Sequence, residues 1–469
     1  MARESRGKPH ALLVPLSGQG HVAPLLTLGM RLADNGITIT LAGFKKDVVG
    51  IKEKYGKQLQ SLDFHLLELD HDPGVIDNVK VKPPHVQAAT GRAMEPVLEK
   101  LEADRLAGRA IPSCIIADFF MFWSEDAAAR LGMKRYVFYP SGVILAKMFQ
   151  EVPFLLKTGK LQLGDDNSVI PFDGLVELPG IALVKYSDLP FSIRHLPLRL
   201  GSTVSASIVV NSFLDLELEP IKYYQIKSSS KQSQGKVYAV GPIVTPATFK
   251  DHAFLSATVT TATDPLSWLD TQPGLSVLYI CLGSMVRLSP PQIMQLALAL
   301  ESLEEKCSFL WVLPRGNGNF EALEDVLPAD FARKANGRGL VTTSWVPQVQ
   351  VLAHPAILGF LSHCGWCSTI ESMTSGVPMI AWPHAAEQFL NCRYIVDQLK
   401  VATEVVRGPD GVVEQKEFEK AFTVLLGDQG KQIKDRCKEL KAKAAAAIAP
   451  GGSSENAFQQ LIEEIKSLT

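Results

Sequence analysis

Two hydrophobic periods alternate along this chain. From His10 to Leu16 the residues are almost all apolar, a run too short for an ordinary helix and closed by a glycine-bearing turn, which predicts a buried strand. Val22, Leu25, Leu26, Gly29 and Ala33 then recur at helical spacing, Asn35-Gly36 supplies a stop, and Ile37 to Leu41 reads as the next strand. The same grammar returns far downstream. Ser276 to Leu282 is a predicted strand, Gly283-Ser284 turns it, and Ser289-Pro290-Pro291-Gln292 has the form of a capping box with proline at the first helical position. That helix is expected to run to about Lys306, with a strand at Ser308 to Leu313. Two separate starts of an alternating α/β pattern predict two doubly wound domains in place of one long sheet.

The segments between and after them differ in composition. Residues 227–236 carry no large apolar side chain and read as an exposed loop, and the Thr-rich stretch 246–263 reads as the interdomain linker. The expected domains are therefore 1–245 and 264–450. Residues 451–469 form a final unit in which Gly451-Gly452-Ser453-Ser454 starts an amphipathic helix, Glu455 to Leu468, placed to pack back on the first domain.

A length of 469 residues accommodates this arrangement. With 47 Lys+Arg against 49 Asp+Glu the net charge is −2, too balanced to supply the basic field of a nucleic-acid binder. No apolar run approaches the roughly 18 residues of a membrane span. Arg3, Arg6 and Lys8 precede an apolar stretch cut short at Pro15, unlike a secretory leader, so a cytoplasmic start is expected. The seven cysteines are then expected to be reduced thiols, and the chain to act as a monomer.

Candidate chemistry begins at Gly18-Gln19-Gly20-His21-Val22-Ala23, a relaxed dinucleotide fingerprint between a strand and a helix. The acidic ribose clamp expected about 20 positions later is replaced by Ala42-Gly43-Phe44-Lys45-Lys46, which weakens a nicotinamide reading but leaves an NADP-dependent oxidoreductase open. Asp118 ends the short apolar strand Cys114 to Ala117, where open α/β sheets place functional groups. A carboxylate there can hold the imidazole of His21 in one tautomer, the logic of a triad; a surface histidine and a loop cap are the structural alternatives. Cys364-Gly365-Trp366-Cys367 also has the spacing of a thiol-disulfide oxidoreductase site, with a helix N-terminus expected to lower the thiol pKa. No second ligand pair stands at zinc spacing.

The stretch from Trp345-Val346-Pro347-Gln348 to Glu387-Gln388 is the most specific. It contains His363-Cys364-Gly365-Trp366-Cys367-Ser368-Thr369-Ile370-Glu371-Ser372, then Ser375-Gly376-Val377-Pro378 and Trp382-Pro383. Ungapped, it resembles the donor-binding signature of plant-type family 1 UDP-sugar glycosyltransferases. Ser17 to His21, Asn211-Ser212-Phe213 before Leu216-Glu217, Val240-Gly241-Pro242 and Trp268-Leu269-Asp270 extend the resemblance over nearly the whole chain.

The resemblance implies the α/β arrangement called GT-B, two Rossmann-like doubly wound domains facing across a cleft, with acceptor on the first and UDP-sugar on the second. It implies that Trp345 stacks on uracil, that Val346 and Gln348 address base and ribose, and that Glu371 accepts the ribose hydroxyls. His363, Ser368 and Ser284 are implied to hold the pyrophosphate, and Trp366, Glu387 and Gln388 to contact the sugar. The residues suit these roles, because a helix opening near Ser368 offers free N–H groups and the positive end of a dipole to a diphosphate. Cys367 departs from the family's usual Asn, exchanging an amide for a weak S–H donor, and Met285 stands where a small residue is common.

The expected reaction is an inverting transfer with His21 as base and Asp118 as its partner, without a metal or a resident cofactor, UDP-sugar being the co-substrate. Glucose is the expected sugar, and a flavonoid or other phenolic of plant secondary metabolism the expected acceptor, because Phe119, Phe120, Phe122, Trp123 and Tyr139 flank the Asp118 strand. Attack through oxygen and through an aromatic carbon both remain open, as does a relative that binds UDP-sugar without turnover.

Overall fold

The computed structural model describes residues 8–70, 83–165, 168–171, 174–178, 181–195, 206–228, 235–244, 264–303, 307–314, 323–335, 337–408 and 411–469. They group into two compact units. The first comprises Met1–Ile170, Ile193–Val244 and Ala446–Thr469, and the second Pro171–Ser192 and Thr245–Ala445.

The first unit is built on five early strands, β1 (His10–Val14), β2 (Thr38–Phe44), β3 (Phe64–Leu69), β4 (Cys114–Asp118) and β5 (Lys134–Tyr139). Two very short antiparallel strands of the second unit, β6 (Leu175–Leu178) and β7 (Ile181–Lys185), interrupt the series before β8 (Ser207–Val210) and β9 (Val237–Ala239) complete the first sheet. Its order is β3-β2-β1-β4-β5-β8-β9, with every pairing parallel. Parallel strands covered on both faces need apolar runs rather than alternation, and β4 accordingly is buried at all five positions. Helix Gln19–Asp34 lies directly on β1, with Gly29 against Leu13; a Cβ there would lie 2.7 Å from Leu13 Cδ2, so only glycine permits the approach. Between β1 and β4 the strand order reverses, with Val14 paired to Ala117, and the crevice at such a switch point is the standard ligand position of an open α/β sheet.

The second unit repeats the plan with β10 (Val277–Cys281), β11 (Ser308–Val312), β12 (Gly339–Thr342), β13 (Ile357–Ser362), β14 (Met379–Ala381) and β15 (Ala402–Glu404). Its order is β12-β11-β10-β13-β14-β15, again parallel throughout, and the reversal falls between β10 and β13. Trp311, Trp382, Phe418 and Phe422 fill the core on one face, the Trp382 and Phe418 rings meeting edge to face at 5.0 Å.

The terminal helix Ser453–Ser467 belongs to the first unit and is fixed there by polar as well as apolar contacts. Glu464 accepts hydrogen bonds from Tyr136 Oη at 2.9 Å, Tyr238 Oη at 2.5 Å and Lys236 Nζ at 2.6 Å. Arg31 lies over the Phe458 ring, 4.0 Å from its centroid.

Three local expectations meet a different outcome. The capping box does not form: Ser289 makes no side-chain cap, and Gln292 instead exchanges bonds with the backbone N–H and C=O of Val413 at 2.9 and 3.0 Å. A buried amide pairs with whichever backbone lacks a partner, and Val413 offers both groups at once. Lys227 and Ser228 close the helix Leu218–Ser228, while most of the expected loop, and all of 246–263, lie outside the described residues. The helix after Ser289 ends at Glu301. Among the described residues no helix is long and apolar enough to cross a membrane.

Candidate active site

The first unit places one catalytic-type pair at its switch point. Gly18 takes φ 137, a conformation open to glycine, so that the chain leaves β1 and enters the helix within a few residues, carrying His21 in the first turn. Asp118 is the last residue of β4. His21 Nδ1 and Asp118 Oδ2 are 2.7 Å apart, the carboxylate fully buried and the imidazole about a quarter exposed. A carboxylate only accepts, so Nδ1 carries the proton and the basic lone pair falls on Nε2. The second oxygen of Asp118 accepts from the Phe120 N–H at 3.0 Å, which fixes the carboxylate plane.

Aromatic rings pack behind this pair. Phe119 stacks on Tyr139 at 4.9 Å and 2°, and meets Phe120 at 4.2 Å and Phe149 at 5.6 Å. The expected wall of five is not one surface, however. Phe119 and Tyr139 are core residues, Phe120 is half-buried beside His21, and Trp123 turns away to cover Gly91. Sequence reasoning missed Phe149, because its helix buries Lys147, Gln150 and Glu151 along with the apolar residues, so no stripe marks the side that meets Phe119.

In the second unit the chain leaves β13 through His363, Cys364 and Gly365 into the helix Trp366–Ser375, whose N-cap is Gly365. Cys364 has φ 64, a left-handed conformation costly for a residue with a Cβ, and Asn391 Nδ2 holds the turn by donating to its carbonyl at 2.9 Å. The His363 ring sits between two glycines. A Cβ on Gly365 would lie 2.4 Å from His363 Nε2, and one on Gly283, at φ 72, 2.8 Å from it. Burial lowers the His363 pKa to about 4, so the ring is neutral near pH 7, and its Nδ1 has no hydrogen-bond partner among the described residues.

Gln348 opens the helix Gln348–Ala353 and joins the cluster. Its Nε2 donates to Ser368 Oγ at 3.0 Å and to Glu371 Oε2 at 2.8 Å. Burial pushes Glu371 up to about 7, against the pull of the Gln348 bond. Ser368, Glu371 and Gln348 thus share one corner, and Ser284 is exposed on the turn after Gly283, the glycine that lies against the His363 ring. Trp345 is half-buried and Val346 buried in the segment preceding Gln348. Trp366 is buried in the first helical turn, and Glu387 stands at the N-cap position of the helix Gln388–Arg393. Gln388 Oε1 accepts from the N–H groups of His384 and Ala385, both at 2.9 Å, which leaves its NH₂ as the group able to meet a ligand.

The cysteines correct an expectation. Burial raises both the Cys364 and Cys367 thiols, outweighing the helix terminus, and Cys364 shares its hydrogen bond with Cys392 instead of Cys367. A low-pKa Cys364/Cys367 redox pair is not what the fold builds. Among the described residues no group of three or more His, Cys, Asp and Glu side chains is placed to hold a metal ion.

Comparison with known proteins decides the identity. Residues 257–430 match the family model for UDP-glucoronosyl and UDP-glucosyl transferase. The chain is 32% identical to UDP-glycosyltransferase 73E1 of Stevia rebaudiana, over 97% of this chain and 96% of that one. The chain belongs to the UDP-glycosyltransferases.

Two solved structures extend the similarity to the whole fold. A Polygonum tinctorium UDP-glucosyltransferase capable of glucosylating indoxyl, complexed with 3,4-dichloroaniline, superposes with TM-score 0.81 at 28% identity, covering 99% of this chain and 100% of that one. Phytolacca americana UGT2, complexed with UDP-2-fluoro-glucose and pterostilbene, gives 0.80 at 27% identity, covering 98% and 100%. The protein is therefore a plant-type family 1 glycosyltransferase of GT-B fold that uses UDP-sugar as co-substrate. The family match supports sugar transfer in place of the hydride-transferring and thiol-exchanging readings. In this glycosyltransferase, sequence reading also missed Asn391 and Tyr279, whose roles depend on partners far away in the chain.

Proposed function

We propose that this glycosyltransferase moves glucose from UDP-glucose, with inversion, to a hydroxyl or an aromatic carbon of a small apolar phenolic such as a flavonoid. The observation that carries the proposal is the His21 Nδ1 to Asp118 Oδ2 hydrogen bond at 2.7 Å, with Asp118 wholly buried. In this reading Nε2 of His21 takes the acceptor proton as the acceptor attacks the anomeric carbon, and Asp118 stabilises the imidazolium that forms. The C–O bond to UDP breaks as the new bond forms, so one displacement inverts the carbon.

In the same reading Trp345, Val346 and Gln348 take the nucleoside, Glu371 accepts ribose hydroxyls, and Ser284, His363, Ser368 and the first N–H groups of helix Trp366–Ser375 take the diphosphate. Those N–H groups and the helix dipole stabilise the departing charge without a metal. Trp366, Cys367, Glu387 and Gln388 face the sugar, with the Gln388 NH₂ donating to a hydroxyl. The half-buried Phe120 ring beside His21 favours a flat, apolar acceptor, and the two solved neighbours were complexed with, or act on, aromatic molecules of that kind.

An acceptor panel assayed with UDP-glucose, UDP-galactose and UDP-glucuronic acid tests this directly. Mass detection shows transfer, and acid stability of the product separates O- from C-glycosides. Preference for UDP-glucose with phenolic acceptors supports the proposal; transfer confined to non-aromatic acceptors or to another sugar contradicts it.

A further inference from the structure

Tyr279 lies in the middle of β10, completely buried, its ring stacked on Phe360 at 4.8 Å and 18°. Nothing about a central strand position of a parallel sheet calls for a hydroxyl, since both faces are apolar and a phenyl ring would pack as well. The hydroxyl is nevertheless used. Tyr279 Oη donates to Gln348 Oε1 at 3.2 Å, across 69 residues of sequence. The other end of the same amide donates to Ser368 Oγ and Glu371 Oε2.

An amide has one accepting and one donating end, and a flip exchanges them. If Gln348 flipped, its oxygen would face the Glu371 carboxylate and its NH₂ would face the Tyr279 hydroxyl. Glu371, which only accepts, therefore sets the orientation, and the Tyr279 hydroxyl, able to accept as well as donate, donates to the oxygen that this leaves facing it. Burial raises the Tyr279 pKa well above its ordinary value, so the phenol keeps its proton throughout the working range and remains a donor.

We infer that Tyr279 is a positioning residue for the donor nucleotide: Glu371 sets which end of the Gln348 amide faces it, and the Tyr279 hydroxyl anchors the oxygen end, holding the NH₂ beside Glu371 and Ser368 where UDP binds. The inference rests on the donor-site reading given above and goes beneath it, to a side chain that never touches the ligand. It concerns donor binding alone. The acceptor side has no part in this network, so the acceptor KM and the turnover at saturating donor stay as they are.

The test is a double-mutant cycle with UDP as probe, read by calorimetry, with steady-state kinetics in UDP-glucose alongside. Tyr279→Phe keeps the stacked ring and deletes one hydroxyl. It is expected to raise the UDP Kd and the UDP-glucose KM by about three- to tenfold, the range of one hydrogen bond, with turnover at saturating donor unchanged. Gln348→Ala is expected to weaken UDP by about tenfold or more, and adding Tyr279→Phe to it should then change the Kd less than twofold. Gln348→Glu keeps the acceptor toward Tyr279 but puts a second carboxylate oxygen against Glu371; it should bind UDP less well than Gln348→Ala.

Unchanged UDP affinity in Tyr279→Phe, or the same loss in the Gln348→Ala background as in the wild type, overturns the positioning role while leaving the donor site standing. Wild-type affinity in Gln348→Glu also overturns it, and does so even if Tyr279→Phe fails to fold. Wild-type affinity in Gln348→Ala removes Gln348 from the donor site and takes both readings down together.

Discussion

Glu371 accepts a hydrogen bond from Gln348 Nε2 at 2.8 Å in a setting that raises its own pKa to about 7. Burial is the larger influence, since it disfavours the charged form, and the amide bond offsets only part of it. If ribose hydroxyls donate to this carboxylate, UDP binds the ionised form better. The sign follows: as pH falls through about 7 the carboxyl takes up a proton and UDP affinity drops, by up to about tenfold per pH unit. Calorimetric titration of UDP from about pH 5.5 to 8.5 should show this fall in the wild type and not in Glu371→Gln. The titration of UDP itself is common to both proteins and cancels in their ratio.

Gly365→Ala should damage donor use specifically. Its Cβ would stand 2.4 Å from His363 Nε2, so the ring, which also lies against Gly283, must shift to make room. The UDP-glucose KM is expected to rise by about tenfold or more, the cost of overpacking, with the acceptor KM little changed. Gly50→Ala supplies the contrast. Position 50 lies inside the helix Lys45–Leu59 with no described residue within 4 Å of the added methyl, so the melting temperature should rise slightly, in line with about 0.5–1 kcal/mol.

Glu464→Ala should loosen the terminal helix from the first unit. The change strips two tyrosine hydroxyls and a lysine of their shared acceptor, and Tyr136 and Tyr238 are both buried. A loss of about 2–4 kcal/mol in urea unfolding is expected, because each buried hydroxyl left without a partner costs about 1–3 kcal/mol. Glu464→Gln should recover part of it. UDP affinity per folded molecule should not change, since the helix is no part of the donor cluster.

Much of this was legible in the chain, for definable reasons. Parallel strands buried on both faces leave continuous apolar runs, so β1, β4, β10 and the double α/β plan could be read directly, and His21 and Asp118 were marked by their positions at strand ends. Gly18 marked the turn that carries His21, and Gly365 with the polar Ser368 marked the donor turn in the same way. What escaped were partnerships that local pattern does not encode. Gln292 looked like a capping residue and pairs with Val413; Cys364 looked paired to Cys367 and leans on Cys392. Tyr279 and Asn391 read as ordinary core positions until the fold brought Gln348 and the Cys364 carbonyl to them.

Excess EDTA should leave initial rates unchanged. The side chains assigned to the diphosphate are Ser284, His363 and Ser368, with no carboxylate among them, whereas a Mg²⁺ site usually takes one or two carboxylates beside the phosphate oxygens. Complete loss of activity restored by Mg²⁺ would contradict a transfer driven by the helix terminus alone.

The central claim is that His21 is the base that Asp118 holds in place. The most direct measurement is turnover of His21→Ala at saturating UDP-glucose, with the UDP Kd of the same protein measured in parallel and Asp118→Asn as companion. The account predicts a fall in turnover of about 10² to 10⁴ for His21→Ala, a smaller fall in the same direction for Asp118→Asn, and UDP affinity within a few-fold of wild type in both. A His21→Ala protein that keeps more than about a tenth of wild-type turnover, with UDP bound normally, would show that the proton leaves the acceptor by another route.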